Sequence, residues 1–256
     1  MVPPLPEIQD RLAQREAKRG ESPVMYQRWS ELLFLHWSYD PLEIQQSLPA
    51  GLTVDTHDGR AWVGLVPFRM EGIRPRGLPA LPWLSAFPEM NVRTYVYDEA
   101  GRPGVWFYSL DAARWIAVKI ARKAFHLPYH HAEMAVNRDP DSGWIDYRSR
   151  RFQGAADASF RYRGATGSRE EEAVPGSLDF FLVERYLLFS RDESAGKLFR
   201  GNVSHPPYRF RPAEVTDFQV DPIVAAGLSV PVGRPEHVAY VESVDVAIHP
   251  LEGGLT

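Results

Sequence analysis

Residues 88–109 read PEMNVRTYVYDEAGRPGVWFYS, and the reading of this stretch decides the fold. Glu89, Asn91, Arg93 and Tyr95 alternate with Met90, Val92, Thr94 and Val96. Side chains alternate across a strand, so four hydrogen-bonding groups share one face and mostly apolar groups the other. The turn-forming run DEAGRPG at 98–104 then joins Val92–Tyr97 to Val105–Ser109 as a β-hairpin. In an open sheet the polar face is simply wet. In a sheet covered on its outer side, the same face lines a cavity with a carboxylate, an amide, a guanidinium and a phenol. Convergent polar groups in an apolar shell are what a small-molecule site requires. Desolvation would raise the pKa of that carboxylate, and a nearby arginine would lower it.

The same punctuation recurs to either side. Asp58-Gly59 separates Leu52–His57 from Arg60–Val66, and Asp-Gly favours the tight turn that closes a hairpin. Tyr186–Ser190 and Lys197–Val203 form a third hairpin pair, and 144–150, 159–163, 215–219 and 237–248 add strands. Residues 164–176 read as an exposed charged loop, and the Phe180–Phe189 run, with Glu184-Arg185-Tyr186 inside it, as core. Strands outnumber helices and follow hairpin order, so the expected class is α+β with a mostly antiparallel, curled sheet.

Composition narrows the function classes. The 256 residues include 31 aromatics and are 44% hydrophobic, ample for a packed core. A net charge of −4 argues against a nucleic-acid partner, which calls for clustered cations. Cysteine is absent, which removes disulfides and thiolate metal sites. No apolar run is long enough to span a bilayer, so no membrane partner is expected. The N-terminal segment carries no apolar signal region, and the expected location is cytoplasmic.

Three local readings complete the pass. Residues 7–19 form a marginal, solvent-facing helix within an N-terminal arm, residues 1–28, ahead of a single domain at 29–256. Asp40-Pro41 starts a short helix that stops near Leu48, with Glu43 placed to close a capping box. Asp111 caps a helix over 112–126 that is apolar on most of its circumference and therefore expected to be buried. Arg122 falls among the apolar residues of that helix, either snorkelling to solvent or seeking a carboxylate, carbonyl or ligand anion. His126 and His130 have a helical metal spacing, but Pro128 breaks the helix between them, and no metal or other cofactor is expected. No nucleophile elbow or phosphate loop is present.

FLHW at 34–37, DGRAWVGLVPF at 58–68, PEMNVRTYV at 88–96, GVWFYSLDA at 104–112, LPYHHA at 127–132 and FLVERYLLF at 181–189 occur in order. With these motifs the chain resembles the YqjF-like family of uncharacterised bacterial proteins, related to the acetoacetate decarboxylase-like superfamily. The resemblance implies a curved sheet closing into a cone or barrel around an internal pocket, with a few helices. It also implies the cavity version of the Glu89 strand.

Acetoacetate decarboxylases carry their Schiff-base lysine in a frame that Ala121-Arg122 and Pro128 match. Tyr129 and His130 stand where the lysines would be, so the resemblance implies a site without an iminium. Glu89 falls close to a pocket carboxylate of those enzymes, whereas the 62–64 stretch lacks their other one. The expected catalytic residues are Glu89, Tyr129 and His130, with Arg93, Arg122, Asn91 and Tyr95 binding substrate. The expected function is a small-molecule pocket protein, a lyase or hydrolase acting on a carbonyl or carboxylate compound. The alternative is a non-catalytic ligand-binding or interaction module. The expected partner is a small-molecule ligand, and a homo-oligomer is compatible with this reading.

Overall fold

The computed structural model describes residues 3–18, 20–80, 85–154 and 156–255. The two N-terminal residues and Arg19 of the expected arm lie outside the described residues. Among the described residues, thirteen strands share one sheet and five helices decorate it. The ladder runs β2 (Leu52–Val54), β4 (Phe87–Asp98), β3 (Ala61–Pro75), β1 (Met25–Tyr39), β13 (His237–Leu255), β11 (Lys197–Ser204), β10 (Leu187–Asp192), β5 (Pro103–Ala112), β6 (Tyr129–Arg138), β7 (Ile145–Arg151), β8 (Ala158–Gly164), β12 (Arg209–Phe218), β9 (Glu171–Glu172) and curls back on itself through the pairings β4–β5 and β13–β12. The sheet is thus ring-like. Most neighbours are antiparallel, with parallel contacts of β5 (Pro103–Ala112) to β6 (Tyr129–Arg138) and β10 (Leu187–Asp192).

Strand β4 (Phe87–Asp98) pairs with β5 across 98–104, as its alternation and turn residues predict. It is buried from Glu89 to Asp98, so both faces are covered. Met90 and Val92 pack outward with Leu33, Leu35 and Val63 against Tyr147 of β7 (Ile145–Arg151) and Phe160 of β8 (Ala158–Gly164). Tyr95 packs on the opposite side, in the larger cluster with Phe34, Phe68, Leu110 and Phe181. Strands β7 and β8 are therefore the cover that turns a would-be wet face into an interior one.

The Asp58-Gly59 turn forms with both residues at positive φ, but the strands leaving it do not zip together. A single bridge joins His57 to Arg60, and β2 (Leu52–Val54) pairs with β4 instead. Strand β3 (Ala61–Pro75) is taken by β4 on one side and by β1 (Met25–Tyr39) on the other. β1, unanticipated as a strand, is mostly buried from Ser30 onward and reads as a continuous apolar run rather than an alternation. The third hairpin forms as β10 and β11 (Lys197–Ser204).

Helix α2 (Pro41–Ser47) begins where Asp40 accepts the Leu42 amide, and it ends at Leu48. Glu43 does not close a capping box; it accepts from Ser229. Helix α1 (Ile8–Glu16) is not simply a solvent-facing rod, because Arg11 is buried and pairs with Asp55 at 2.6 Å.

Helix α3 (Trp115–Phe125) departs most from expectation. Asp111 does not cap it: that residue lies in β5 and pairs with Arg151 at 2.8 Å. Nor is the helix buried. Val118 alone is fully covered, while Trp115 and Ile120 are 51% and 56% exposed. Its surplus of apolar residues roofs a cavity on one side and meets solvent on the other. The chain then leaves α3 through His126, in left-handed conformation, and enters β6 at Tyr129 where a turn is expected.

Candidate functional site

The inner face of the ring encloses a cavity of about 470 Å³. Its depth can be read along β3 and β4. Ile73 and Phe87 lie toward the outer end, Phe68 pairs with Glu89, Val66 with Asn91, and Gly64 with Arg93 at the inner end. α3 contributes Ala117, Ile120, Ala121 and Phe125 to the rim, with Leu78 and Pro79 beside them. Most of the wall is aliphatic or aromatic, and the charged groups sit in two places.

Glu89 and Tyr129 meet at the outer of these. β4 aims the carboxyl inward, and the parallel pairing of β6 with β5 brings the phenol alongside. The Tyr129 hydroxyl donates to the Glu89 carboxyl at 3.1 and 3.2 Å. Glu89 is 3% exposed and has no ion-pair partner among the described residues. Burial pushes its pKa up to about 8, the Tyr129 hydrogen bond opposes the rise, and the charge of Asp111 adds to it. Burial and the adjacent carboxyl raise the Tyr129 phenol well above its ordinary value. Asp111 is itself raised to about 6 by burial, which outweighs the attraction of Arg151. Near neutral pH the pair therefore holds a carboxylic acid able to give a proton or, once ionised, to take one.

Arg93 lies at the inner place, 7% exposed, with no carboxylate partner among the described residues. Its Nη2 donates to the Leu182 carbonyl at 3.2 Å and to the Tyr95 hydroxyl at 3.3 Å, and its Nε has no partner. Arg185, also 7% exposed, lines the same space. It donates to the Phe181 carbonyl and to Asp55, both at 2.8 Å, which leaves Nη2 unpartnered. Burial lowers Arg185 to about 10, the Asp55 charge opposing and the Arg11 charge adding to the fall. Both guanidiniums lie over the Tyr95 ring, at 5.6 and 4.9 Å from its centroid. Asn91 completes the group with an unpartnered, buried Oδ1.

Glu89, Asn91, Arg93 and Tyr129 thus line the same cavity. Tyr95 is on the same face of β4 but lies beneath the wall, donating to the Leu182 carbonyl at 2.8 Å and meeting His36 at 2.7 Å. His130 and Arg122 are not brought into the cavity. Alternation along β6 turns His130 away from Tyr129, and burial, aided by the Arg151 and Arg122 charges, lowers its pKa to about 4. Arg122 is exposed, and its Nε donates to the Tyr129 carbonyl at 2.6 Å, so it braces the β6 backbone from outside.

The three histidines after α3 also diverge. His126 stacks on Phe199 and His131 on Phe152. Among the described residues no group of three potential metal-ligating side chains occurs.

Arg185 and Asp55 are the functional candidates that sequence reading missed. A guanidinium inside FFLVERYLLF needs a buried counter-charge, and that mismatch was the available signal. Gly64 was equally silent. A Cβ there would meet the His36 ring at 2.9 Å, so the missing side chain makes room for the buried imidazole beside Arg93.

The curved, ring-like sheet has an acetoacetate decarboxylase-like fold. Three solved structures bear out the fold. The enduracididine biosynthesis enzyme MppR complexed with pyruvate matches with a TM-score of 0.62 and 14% identity, covering 93% of this chain and 92% of its own. An acetoacetate decarboxylase-like enzyme from Sphingomonas wittichii RW1 gives 0.60 and 14%, covering 91% and 94%. An acetoacetate decarboxylase gives 0.61 and 13%, covering 91% and 90%.

Within that class, residues 26–245 match the DUF2071 family, described as an uncharacterized conserved protein, and the chain belongs to it. It is 37% identical over 232 residues to the uncharacterized protein YqjF of Bacillus subtilis (strain 168), covering 89% of this chain and 91% of that one.

Proposed function

We propose that this chain binds a carbonyl- or carboxylate-containing small molecule in its inner cavity and carries out acid–base chemistry on it, as a lyase or hydrolase without a Schiff-base lysine. The observation that carries the reading is the Glu89–Tyr129 pair: a carboxyl 3% exposed, hydrogen-bonded by a phenol and facing a cavity. A proton poised near neutrality on a desolvated carboxyl is what general acid–base catalysis uses. Tyr129 supplies a hydroxyl for oxygen charge that develops on the substrate. Arg93 and Arg185 hold the anionic end, and Asn91 orients the molecule between them.

Two further facts support it. Among the described residues no lysine lines the cavity; Lys119 and Lys123 sit exposed on α3. Fold relatives include a protein complexed with pyruvate and acetoacetate decarboxylases, whose names carry carbonyl–carboxylate chemistry.

Deuterium exchange next to the carbonyl of a panel of keto acids, followed by NMR in D₂O, tests the proposal. Wild-type protein is expected to catalyse exchange or cleavage of at least one member. Glu89→Gln is expected to lose about 10²–10⁴-fold in rate while still binding it. Unchanged rates in Glu89→Gln would overturn the assignment. Binding with no turnover in wild type would select the non-catalytic module instead.

A further inference from the structure

The two polar places of the cavity lie far apart, and this distance carries information about the ligand. Glu89 and Arg93 are four residues apart on one face of β4, a backbone offset of roughly 13 Å at the usual rise of a strand. From Gly64, level with Arg93, to Ile73 near the mouth, β3 extends by roughly 30 Å on the same basis. The space between is lined by apolar side chains such as Trp29, Phe68, Phe107, Leu110 and Leu188.

At its inner end, Arg93 has no carboxylate partner among the described residues, and Arg185 keeps an unpartnered Nη2. An arginine cannot relieve its burial by giving up its proton. Arg11 and Arg185 share the one carboxylate of Asp55 and Arg93 has no ion pair among the described residues, so the excess positive charge at this end favours an anion brought from outside. Both guanidiniums line the cavity and lie over the same Tyr95 ring, which brings them to the same end of it. Among the described residues no further cation lines the wall, whereas apolar surface continues to the rim. There Leu78 and Ile120 both line the cavity and are more than half exposed.

We infer that the ligand is an elongated, largely apolar carboxylic acid. Its carboxylate sits on Arg93 and Arg185, its chain passes the Glu89–Tyr129 pair, and its tail emerges between α3 and Leu78. A three-carbon keto acid would occupy one end of a cavity of about 470 Å³ and leave the apolar remainder unfilled. The inference rests on the proposed role of the cavity and adds length and polarity to the ligand. It also moves the reacting atoms of the substrate several bonds away from its carboxylate, toward Glu89.

Calorimetric titration of the whole chain with pyruvate and with straight-chain acids of eight, twelve and sixteen carbons, alongside the twelve-carbon alcohol, tests it. Affinity is expected to rise up to about fourfold per added methylene until the tail leaves the cavity. The twelve-carbon acid is expected to bind at least tenfold more tightly than its alcohol. That preference should vanish in Arg93→Met while the dependence on length persists. Ala117→Trp, which fills the rim on α3 without touching the inner end, is expected to weaken the long acids and spare the eight-carbon one.

Pyruvate binding as tightly as the twelve-carbon acid would overturn the elongated ligand and leave the anion site standing. Equal affinity for acid and alcohol in wild type would overturn the anion site, and with it the way the proposed function orients its substrate.

Discussion

Among the described residues, one level of β4 buries a carboxyl without a cation; four residues on, the strand buries a guanidinium without a carboxylate. Glu89 and Arg93 sit on the same face of the same strand and pay for desolvation by different routes. The carboxyl keeps its proton, and its pKa rises to about 8. The guanidinium has no such exit and stays charged on two hydrogen bonds, to the Leu182 carbonyl and the Tyr95 hydroxyl. Beside it, Arg11 and Arg185 share the single carboxylate of Asp55, with 2.6 and 2.8 Å contacts. One end of the cavity is therefore built to exchange a proton and the other to retain positive charge. The comparison separates chemistry from recognition within one wall.

Removing the shared counter-ion strikes this arrangement hardest. Asp55→Asn leaves two buried guanidiniums without a full negative charge and is expected to destabilise the fold by about 3–5 kcal/mol in chemical denaturation. A loss below 1 kcal/mol would mean that the cationic end is hydrated and not held by Asp55.

Glu89→Gln addresses the other end through pH. A carboxyl whose folded pKa stands above its unfolded value stabilises the fold fully below about 4.5, and that contribution fades as pH rises through about 8. The glutamine variant escapes this loss. Its melting temperature is expected to exceed that of wild type by the equivalent of a few kcal/mol at pH 9, with the gap closing toward pH 4. A gap independent of pH would show that Glu89 ionises normally.

Arg93→Met removes a charge that has no carboxylate partner, so in ligand-free protein it is expected to be neutral or stabilising by about 1 kcal/mol. A large loss on denaturation would instead reveal an anion held within the fold.

Tyr129→Phe takes a donor from the Glu89 carboxyl, with an expected cost of about 1 kcal/mol. Because that hydrogen bond lowers the carboxyl pKa, the carboxyl resonance of Glu89 should titrate at still higher pH in the variant. Movement in the opposite direction would rule out the contact as drawn.

Arg122→Ala and His130→Ala are expected to change stability by less than about 0.5 kcal/mol and ligand binding not at all, since both side chains lie outside the cavity. An effect on binding equal to that of Arg93→Met would return them to the site.

Much of the wall could be read in advance. The alternation in PEMNVRTYV places Glu89, Asn91 and Arg93 together on one face, because a strand has period two whatever surrounds it. The turn residues at 98–104 and 191–196 locate hairpins for a similarly local reason. Local signals misled where pairing was decided elsewhere. Asp58-Gly59 forms its turn, yet β2 goes to β4, because long strands on both sides claim β3 and a ladder has only two edges. Helix α3 looks buried because its composition is apolar, but composition does not distinguish packing on a core from roofing a cavity.

The sequence by itself determined which residues alternate, where the chain turns, and that no cysteine or Schiff-base lysine is available at 129–130. Each of these depends on neighbours within a few residues. Only the tertiary structure decided that the polar face of β4 looks into a cavity, that Asp55 meets Arg11 and Arg185 across 44 and 130 residues, and that Arg93 has no carboxylate partner among the described residues. Those outcomes follow from ring closure, which brings distant segments together in a low-dielectric interior where an unpaired charge has to find a proton, a partner or a ligand.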